Sequence, residues 1–548
     1  MESERAKFRN LFRRGRDALP TYASLKELLP LRRFHKSRQP VVWLVALAVG
    51  VVVGYAALGF LMTIRGVQAL AFGGSGDLAA IAAALPWWQV LMIPAAGGLV
   101  IGIFMRLTID ADRPLGVPEI IEARALHGGR VSFWPGVSSA LISASSLGAG
   151  ASGGREGPMV HLGGTLAALA TRRLGYSAQI GRLLLGCGVA AAVSASFNAP
   201  LAGVLFAHEV VLGHYALRAI APITIASAAG ATVARIHLGD TPAFSLPDMA
   251  LGSYWETPAF VITGLLGAFL AVAFMQAVAA AERGTSALPL PLWARPALGG
   301  LLVGGIALAF PQVLGVGYET TARTLHGEYG LAMLLALVAA KLAATAVTLA
   351  SRFGGGVFSP SVLLGALMGA AFGVLLAAIA PATSGADFYA LVGMGSVSAA
   401  VLGAPLSTTL IVFELTRDYQ VTFALLISAS IATVVTQSTF GASFFQLQLL
   451  NRGLDLRFGP QASLLRTLRV ENFMEKTEGP AVLTPGSTVL HPETTLEEAL
   501  DTMQTEGVDD LPVVRRDTPD EVIAIAHYTA ALQLYNKHLV QAHVEEHR

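Results

Sequence analysis

Cysteine and charge are both scarce in this 548-residue chain. The one cysteine, Cys187, leaves no partner for an intramolecular disulfide. It sits in an apolar stretch, Leu183 to Val189, and reads as a small core residue. Charged residues make up 13% of the chain, against roughly 25% in soluble domains. That shortage excludes a string of soluble domains, which would need more charge to solvate their surfaces. The 12 histidines are scattered, so no Cys/His metal set forms. No nucleophile–base pair is visible either, so the chain reads as no enzyme. No cofactor and no nucleic-acid partner are expected. What is abundant is apolar sequence, at 54%, and glycine, at 58 residues. Few charges, much glycine and long Leu/Ala/Val runs describe an all-α polytopic membrane protein, with the lipid bilayer as its solvent.

Residues 1–40 hold eleven Lys/Arg against four acids, a flank the positive-inside rule places in the cytoplasm. The apolar run from Val41 to about Ile64 is too long for a signal-peptide core and lacks a cleavage site after it. It reads as a retained membrane helix. Apolar stretches then follow closely to about Leu450, at 88–105, 134–150, 157–171, 199–212, 255–281, 296–310, 330–350, 360–380, 388–416 and 421–439. Some are too short for a hydrocarbon core that takes about 20 residues to span. Short, Gly/Pro-broken pieces are typical of transporters whose helices end at mid-membrane.

Beyond Leu450 the composition changes. Arg452, Arg457, Arg466 and Arg469 follow the last apolar run, which places the C-terminus in the cytoplasm as well. Residues 459–548 carry fifteen acids and seven Lys/Arg and read as a small α/β domain. Helical spacing runs through Leu496, Ala499, Leu500 and Met503; β-like runs follow at Leu511–Val514 and Val522–Ala526, then a helix from about Thr529. Residues 476–490, with Gly479-Pro480 and Pro485-Gly486, read as a linker.

Two segments repeat one another. Ala199-Pro200-Leu201 and Ala404-Pro405-Leu406 are each followed by a glutamate nine residues after the proline, Glu209 and Glu414. Upstream of each lies a Gly-rich loop ending in proline, Gly153 to Pro158 and Gly354 to Pro360, at proline spacings of 42 and 45 residues. This is the mark of a duplicated membrane fold, with the substrate site where the repeats meet.

The loop Gly148–Pro158 puts five glycines in eleven residues and then opens a helix. Glycine lets the backbone approach a ligand closely, and the free N–H groups of a first helical turn favour an anion. The second loop repeats the plan, with Ser359 as an N-cap and Pro360 in the first turn; Asn198 and Pro200 suggest a third such start. Several helix N-termini aimed at one point would bind an anion in lipid without a full positive charge. Glu156 stands out, because a carboxylate in a membrane segment is costly. At a helix N-terminus it occupies the place an anion would use, and protonation or displacement opens the path. The plainer alternative is a structural cap paired with Arg155. Lys341 is expected to pair with a carboxylate or snorkel. Glu209 and Glu414 suit a structural role at least as well as a transport role, and His208 reads as a packed, hydrogen-bonded side chain.

At these residues the chain resembles the CLC family of chloride channels and chloride/proton exchangers. The resemblance covers about residues 40–455. It rests on Leu115-Gly-Val-Pro-Glu119, Gly154-Arg-Glu-Gly-Pro158, Phe197-Asn-Ala-Pro-Leu-Ala-Gly203, Gly356-Val-Phe-Ser-Pro360 and Ala404-Pro-Leu406. It implies a homodimer with one pore per subunit, in a multi-pass protein of the plasma (inner) membrane. The membrane domain, 41–458, would be two inverted repeats of tilted, partly broken helices, about 41–235 and 250–455. Glu156 takes the position of the gating glutamate, and the N–H groups of Val357 and Phe358 that of the chloride-binding loop. Leu115, Gly116, Arg155, Gly157 and Phe445 complete the implied anion site.

The chain departs from the family pattern in three places. The serine whose hydroxyl touches the central ion is replaced by Leu115, and the tyrosine that does the same by Phe445. The internal glutamate of exchangers, one residue after the position of Glu209, is Val210. The resemblance therefore implies chloride or a similar small anion as substrate and a channel-like pore. A proton-coupled antiporter using Glu156 and an atypical relay, through His208 or elsewhere, is the alternative; a non-conducting membrane regulator is a different class. Residues 486–537 resemble a single CBS module. The usual ribose-binding aspartate is Ala530, so the module implies dimer contact or gating rather than nucleotide binding.

Overall fold

A computed structural model describes residues 39–547 apart from 110, 241–250, 457–464, 466–467, 483–487 and 519–520. Most of the basic N-terminal segment, Arg457, Arg466 and Pro485-Gly486 lie outside the described residues. Among those described, nine helices are long and apolar enough to cross a membrane.

The first run of helices is α1 (Gln39–Phe72), α2 (Leu78–Ala84), α3 (Trp87–Thr108), α4 (Val117–Leu126), α5 (Phe133–Gly148), α6 (Glu156–Arg173), α7 (Ala178–Phe197), α8 (Pro200–Phe206) and α9 (Leu217–Leu238). A wider π-helical turn, Ala207–Leu212, extends α8. The second run is α10 (Thr257–Ala287), α11 (Arg295–Ala309), α12 (Tyr318–Leu325), α13 (Leu331–Ala350), α14 (Phe358–Ile379), α15 (Ala386–Leu402), α16 (Pro405–Thr416) and α17 (Tyr419–Phe440), closed by α18 (Phe444–Leu450). Prolines open α8 and α16, where a missing N–H costs nothing. Residues in the left-handed conformation, Asn198 at φ 58° and Gly403 at φ 70°, end the helices before them.

The expected duplication is visible atom by atom. Gly154 and Gly356 exchange main-chain hydrogen bonds of 2.7 and 2.6 Å as an antiparallel bridge. The Ser152 amide donates to Thr348 Oγ1 at 3.1 Å, and the Gly354 amide to Ser146 Oγ at 3.0 Å. Gly98 packs against the Pro296 carbonyl, and Gly300 against that of Pro94. Every residue in these pairs has its counterpart 202 positions along. Contacts that exchange in this way define a local two-fold axis between the repeats, as in transporter folds built of inverted repeats.

The C-terminal unit is a three-stranded antiparallel sheet of order β1-β3-β2, from β1 (Glu475–Val482), β2 (Asp510–Val514) and β3 (Glu521–His527). Helices α19 (Leu496–Glu506) and α20 (Tyr528–His547) complete it. Thr495 and Glu498 form a capping box at the start of α19, and Gly507 ends it. Val470, Leu496, Ala499, Met503, Leu511 and Val513 are among its core residues. The part of the expected linker at 476–482 is instead strand. β1 is an edge strand whose register breaks between Lys476 and Ala481, and that irregularity takes up Gly479-Pro480.

Candidate functional site

The two Gly-rich loops meet on the axis, so each helix they open starts beside the other repeat. Glu156 is the first residue of α6 and is 3% exposed. Its Oε1 accepts from the Tyr318 hydroxyl at 2.7 Å. The Ser359 hydroxyl lies 2.7 and 2.6 Å from its two carboxylate oxygens. Ser359 was expected to cap α14, but Val357 is the N-cap and Ser359 lies inside the first turn. The crossing of the loops turns its hydroxyl onto Glu156 instead. Arg155 is a weaker partner: its Nε lies 3.7 Å from Glu156, while Nη2 donates to the Ser196 carbonyl at 2.9 Å. The guanidinium also stacks 4.4 Å above the Tyr318 ring.

This cradle separates two cavities. The inner one brings together Leu115, Gly116, Gly157, Val357, Phe358 and Phe445, with Glu156 in its wall. The outer one is bordered by Arg155, Tyr318 and Gly315. Their volumes are about 80 and about 770 Å³, so Glu156 borders the smaller of the two. The rings of Phe197 and Phe358, 4.8 Å apart, lie at the division.

Not every predicted contact offers a donor. The Leu115 amide is held by Ser139 Oγ at 3.1 Å, and the Gly116 amide by Glu119 Oε2 at 2.5 Å. Both residues line the cavity with their N–H groups already used. No acceptor for the amides of Val357 and Phe358 occurs among the described residues. The start of α14 is therefore the anion-favouring helix end of this cavity. Arg155 was expected among the anion contacts of the same site, yet it lines the outer cavity.

The third helix start does not serve an ion. The amides of Leu201 and Ala202 donate to Glu414 at 3.0 and 2.8 Å. Those of Leu406 and Ser407 donate to Glu209 at 3.0 and 2.7 Å. A protein carboxylate occupies each of these N-termini.

Val210, in the π-helical turn, packs its side chain on the main core. His208 places Nδ1 2.8 Å from the His214 carbonyl and stacks on Tyr215, a packed and hydrogen-bonded side chain. Lys341 was expected to pair with a carboxylate or snorkel. Instead its buried Nζ donates to the carbonyls of Val313 and Gly315, at 3.1 and 3.2 Å. These two bonds gather carbonyls of the segment leading to Tyr318.

Sequence reasoning missed Tyr318 and the ion pairs at the inner mouth. Glu282 faces Arg113 at 3.8 Å and Arg352 at 3.6 Å, while Arg452 clasps Glu119 and, at 3.3 Å, Glu122. A buried arginine beside a Gly-rich loop was the one signal available, and it pointed to Arg155.

Residues 97–437 match the family model described as voltage gated chloride channel. A putative chloride channel protein ClcB-like from Ralstonia nicotianae is 31% identical over 414 residues, covering 74% of this chain and 96% of that protein. The voltage-gated ClC-type chloride channel ClcB of Escherichia coli O157:H7 is 30% identical over 411 residues, covering 74% and 97%. Among solved structures, a slow cyanobacterial Cl⁻/H⁺ antiporter superposes with TM-score 0.66 at 22% identity, covering 76% of this chain and 98% of that one. A CLC-type fluoride/proton antiporter gives TM-score 0.63 at 20% identity, covering 75% and 98%. At these identities the solved structures share the fold. The inverted repeats, the carboxylate at their meeting point and the sequence matches together make this chain an integral membrane protein of the CLC family of anion channels and transporters.

Proposed function

We propose that the chain conducts chloride or a similar small anion through a channel-like path gated by Glu156. The observation that carries the reading is the seat of Glu156 at the division between the two cavities, held by the hydroxyls of Tyr318 and Ser359. An anion bound at the amides of Val357 and Phe358 meets the negative carboxylate ahead of it. Protonation of Glu156, or its displacement by the anion, removes that charge and joins the cavities. Val210 supports the absence of strict proton coupling, since an apolar side chain cannot carry a proton. The second reading is proton-coupled exchange. It is favoured by Glu156 itself, a titratable group at the division between the cavities, and by the antiporter named in the cyanobacterial neighbour.

The subunit would work as a homodimer in the plasma (inner) membrane, with both termini cytoplasmic. The C-terminal unit would act as a CBS-like gating or contact module.

Purified protein in liposomes tests the reading, with anion efflux and external pH recorded together at a voltage set by potassium and valinomycin. Chloride efflux without stoichiometric proton uptake is the expected outcome. Protons driven uphill by the anion would replace the channel with an exchanger. Absence of chloride, nitrate and fluoride flux would remove the anion pathway altogether.

A further inference from the structure

Three serines, Ser139, Ser143 and Ser146, lie at i, i+4 and i+7 on α5 and so share one face of that helix. The outer two tie down the loops that frame the inner cavity. Ser139 Oγ accepts from the Leu115 amide at 3.1 Å. Ser146 Oγ accepts from the Gly354 amide at 3.0 Å and donates to the Ile142 carbonyl one turn back at 2.7 Å. The middle serine has no such employment. Ser143 is fully buried, and its hydroxyl has no hydrogen-bond partner among the described residues, not even the carbonyl one turn back.

Ser143 lines the inner cavity together with Glu156, Gly355 and Val357. Of the buried hydroxyls without a partner among the described residues, it alone borders that cavity. Gly354 packs directly on it, and a Cβ there would stand 2.5 Å from the Ser143 Cα and Oγ. The glycine keeps the anion-binding loop and this hydroxyl side by side. A buried hydroxyl left unpaired is costly, and the rungs on either side show that α5 readily avoids the cost.

We propose that Ser143 donates its hydroxyl to the permeating anion, beside the amides of Val357 and Phe358. It supplies the side-chain donor that Leu115 and Phe445 cannot, from a different helix. A hydroxyl-to-anion bond is charge-assisted yet adds no fixed charge that would trap the ion. The assignment rests on the anion-pathway reading, and makes Ser143 a determinant of preference for small, strongly hydrated anions.

The test compares the purified full chain with Ser143→Ala and Ser143→Thr. Chloride is titrated calorimetrically, and liposome fluxes of chloride, nitrate and thiocyanate are measured. Ser143→Ala should bind chloride about tenfold more weakly, as loss of one hydrogen bond to a charged group predicts. Its flux preference should move toward thiocyanate, and Ser143→Thr should restore both. Unchanged affinity and preference in Ser143→Ala would overturn the assignment. So would an equal fall for all three anions with a lower thermal midpoint and no rescue by threonine, the signature of packing alone. If the alanine variant does not fold, Ser143→Cys, of similar size and weak as a donor, carries the same expectation. A wild-type chain that neither binds chloride nor passes any of the three anions overturns the anion pathway itself, a result distinct from a normal wild type with an unaffected variant.

Discussion

Glu209 and Glu414 exchange places: each carboxylate receives two amides at the helix start of the opposite repeat. This makes the matched glutamates clasps between the halves. Glu209→Gln or Glu414→Gln should destabilise the fold by about 2 kcal/mol, the range for hydrogen bonds to a charged group. Thermal unfolding in detergent reads the loss, and anion permeability ratios should stay as in the wild type. A changed ratio with normal stability would place these glutamates in the conduction path instead.

Glu156→Gln should abolish pH-dependent gating. The amide keeps the size of the side chain but cannot acquire or lose the charge that blocks the path. Efflux measured as the external pH is varied should be flat. A variant retaining wild-type pH dependence would take the gate away from Glu156.

Tyr318→Phe and Ser359→Ala each remove one hydroxyl from the Glu156 seat. Either should raise chloride efflux at neutral pH by about tenfold, from the loss of roughly 1.4 kcal/mol of retention. Because both act on one carboxylate, the double variant should fall short of the product of the two. Unaltered efflux in both single variants would show that the hydroxyls do not hold the gate.

Lys341→Met should resemble Tyr318→Phe with an added stability loss. Its Nζ gathers the carbonyls of Val313 and Gly315, just before Tyr318 begins α12. The Gly315 carbonyl keeps the Gly153 amide at 3.3 Å, so the Val313 carbonyl is the one left buried without its donor, at a cost of about 1–3 kcal/mol. Lower thermal midpoint with raised efflux is the expected pair; lowered midpoint alone would confine Lys341 to structure.

Removing residues 459–548 should alter regulation while leaving a permeable dimer. Crosslinking and flux on the truncated chain check this, and loss of all dimer would make the C-terminal unit an assembly element.

The sequence disclosed what is local. Gly-rich loops ending in Pro158 and Pro360 marked the starts of α6 and α14, and the Ala-Pro-Leu pair marked the duplication. Partners brought together by folding were hidden. Tyr318 and Ser359 lie 162 and 203 residues from Glu156, and nothing in their neighbours announces a carboxylate. The matching Glu209 and Glu414 were visible, but not that each would fill the third kind of helix start, which had looked available to an ion. The strand at Glu475–Val482 was masked by Gly479-Pro480, which the sheet accommodates in the register break between Lys476 and Ala481.

The 202-residue correspondence sets Glu156 opposite Phe358, and Gly157 opposite Ser359. The same two places around one axis hold a carboxylate and a glycine in one repeat, a ring and a hydroxyl in the other. Two identical half-length chains could not build this arrangement. They would bring a second carboxylate to the axis, and two like charges in lipid repel, with no serine left to hold either. A single carboxylate on the axis therefore requires halves that differ in sequence at these two positions.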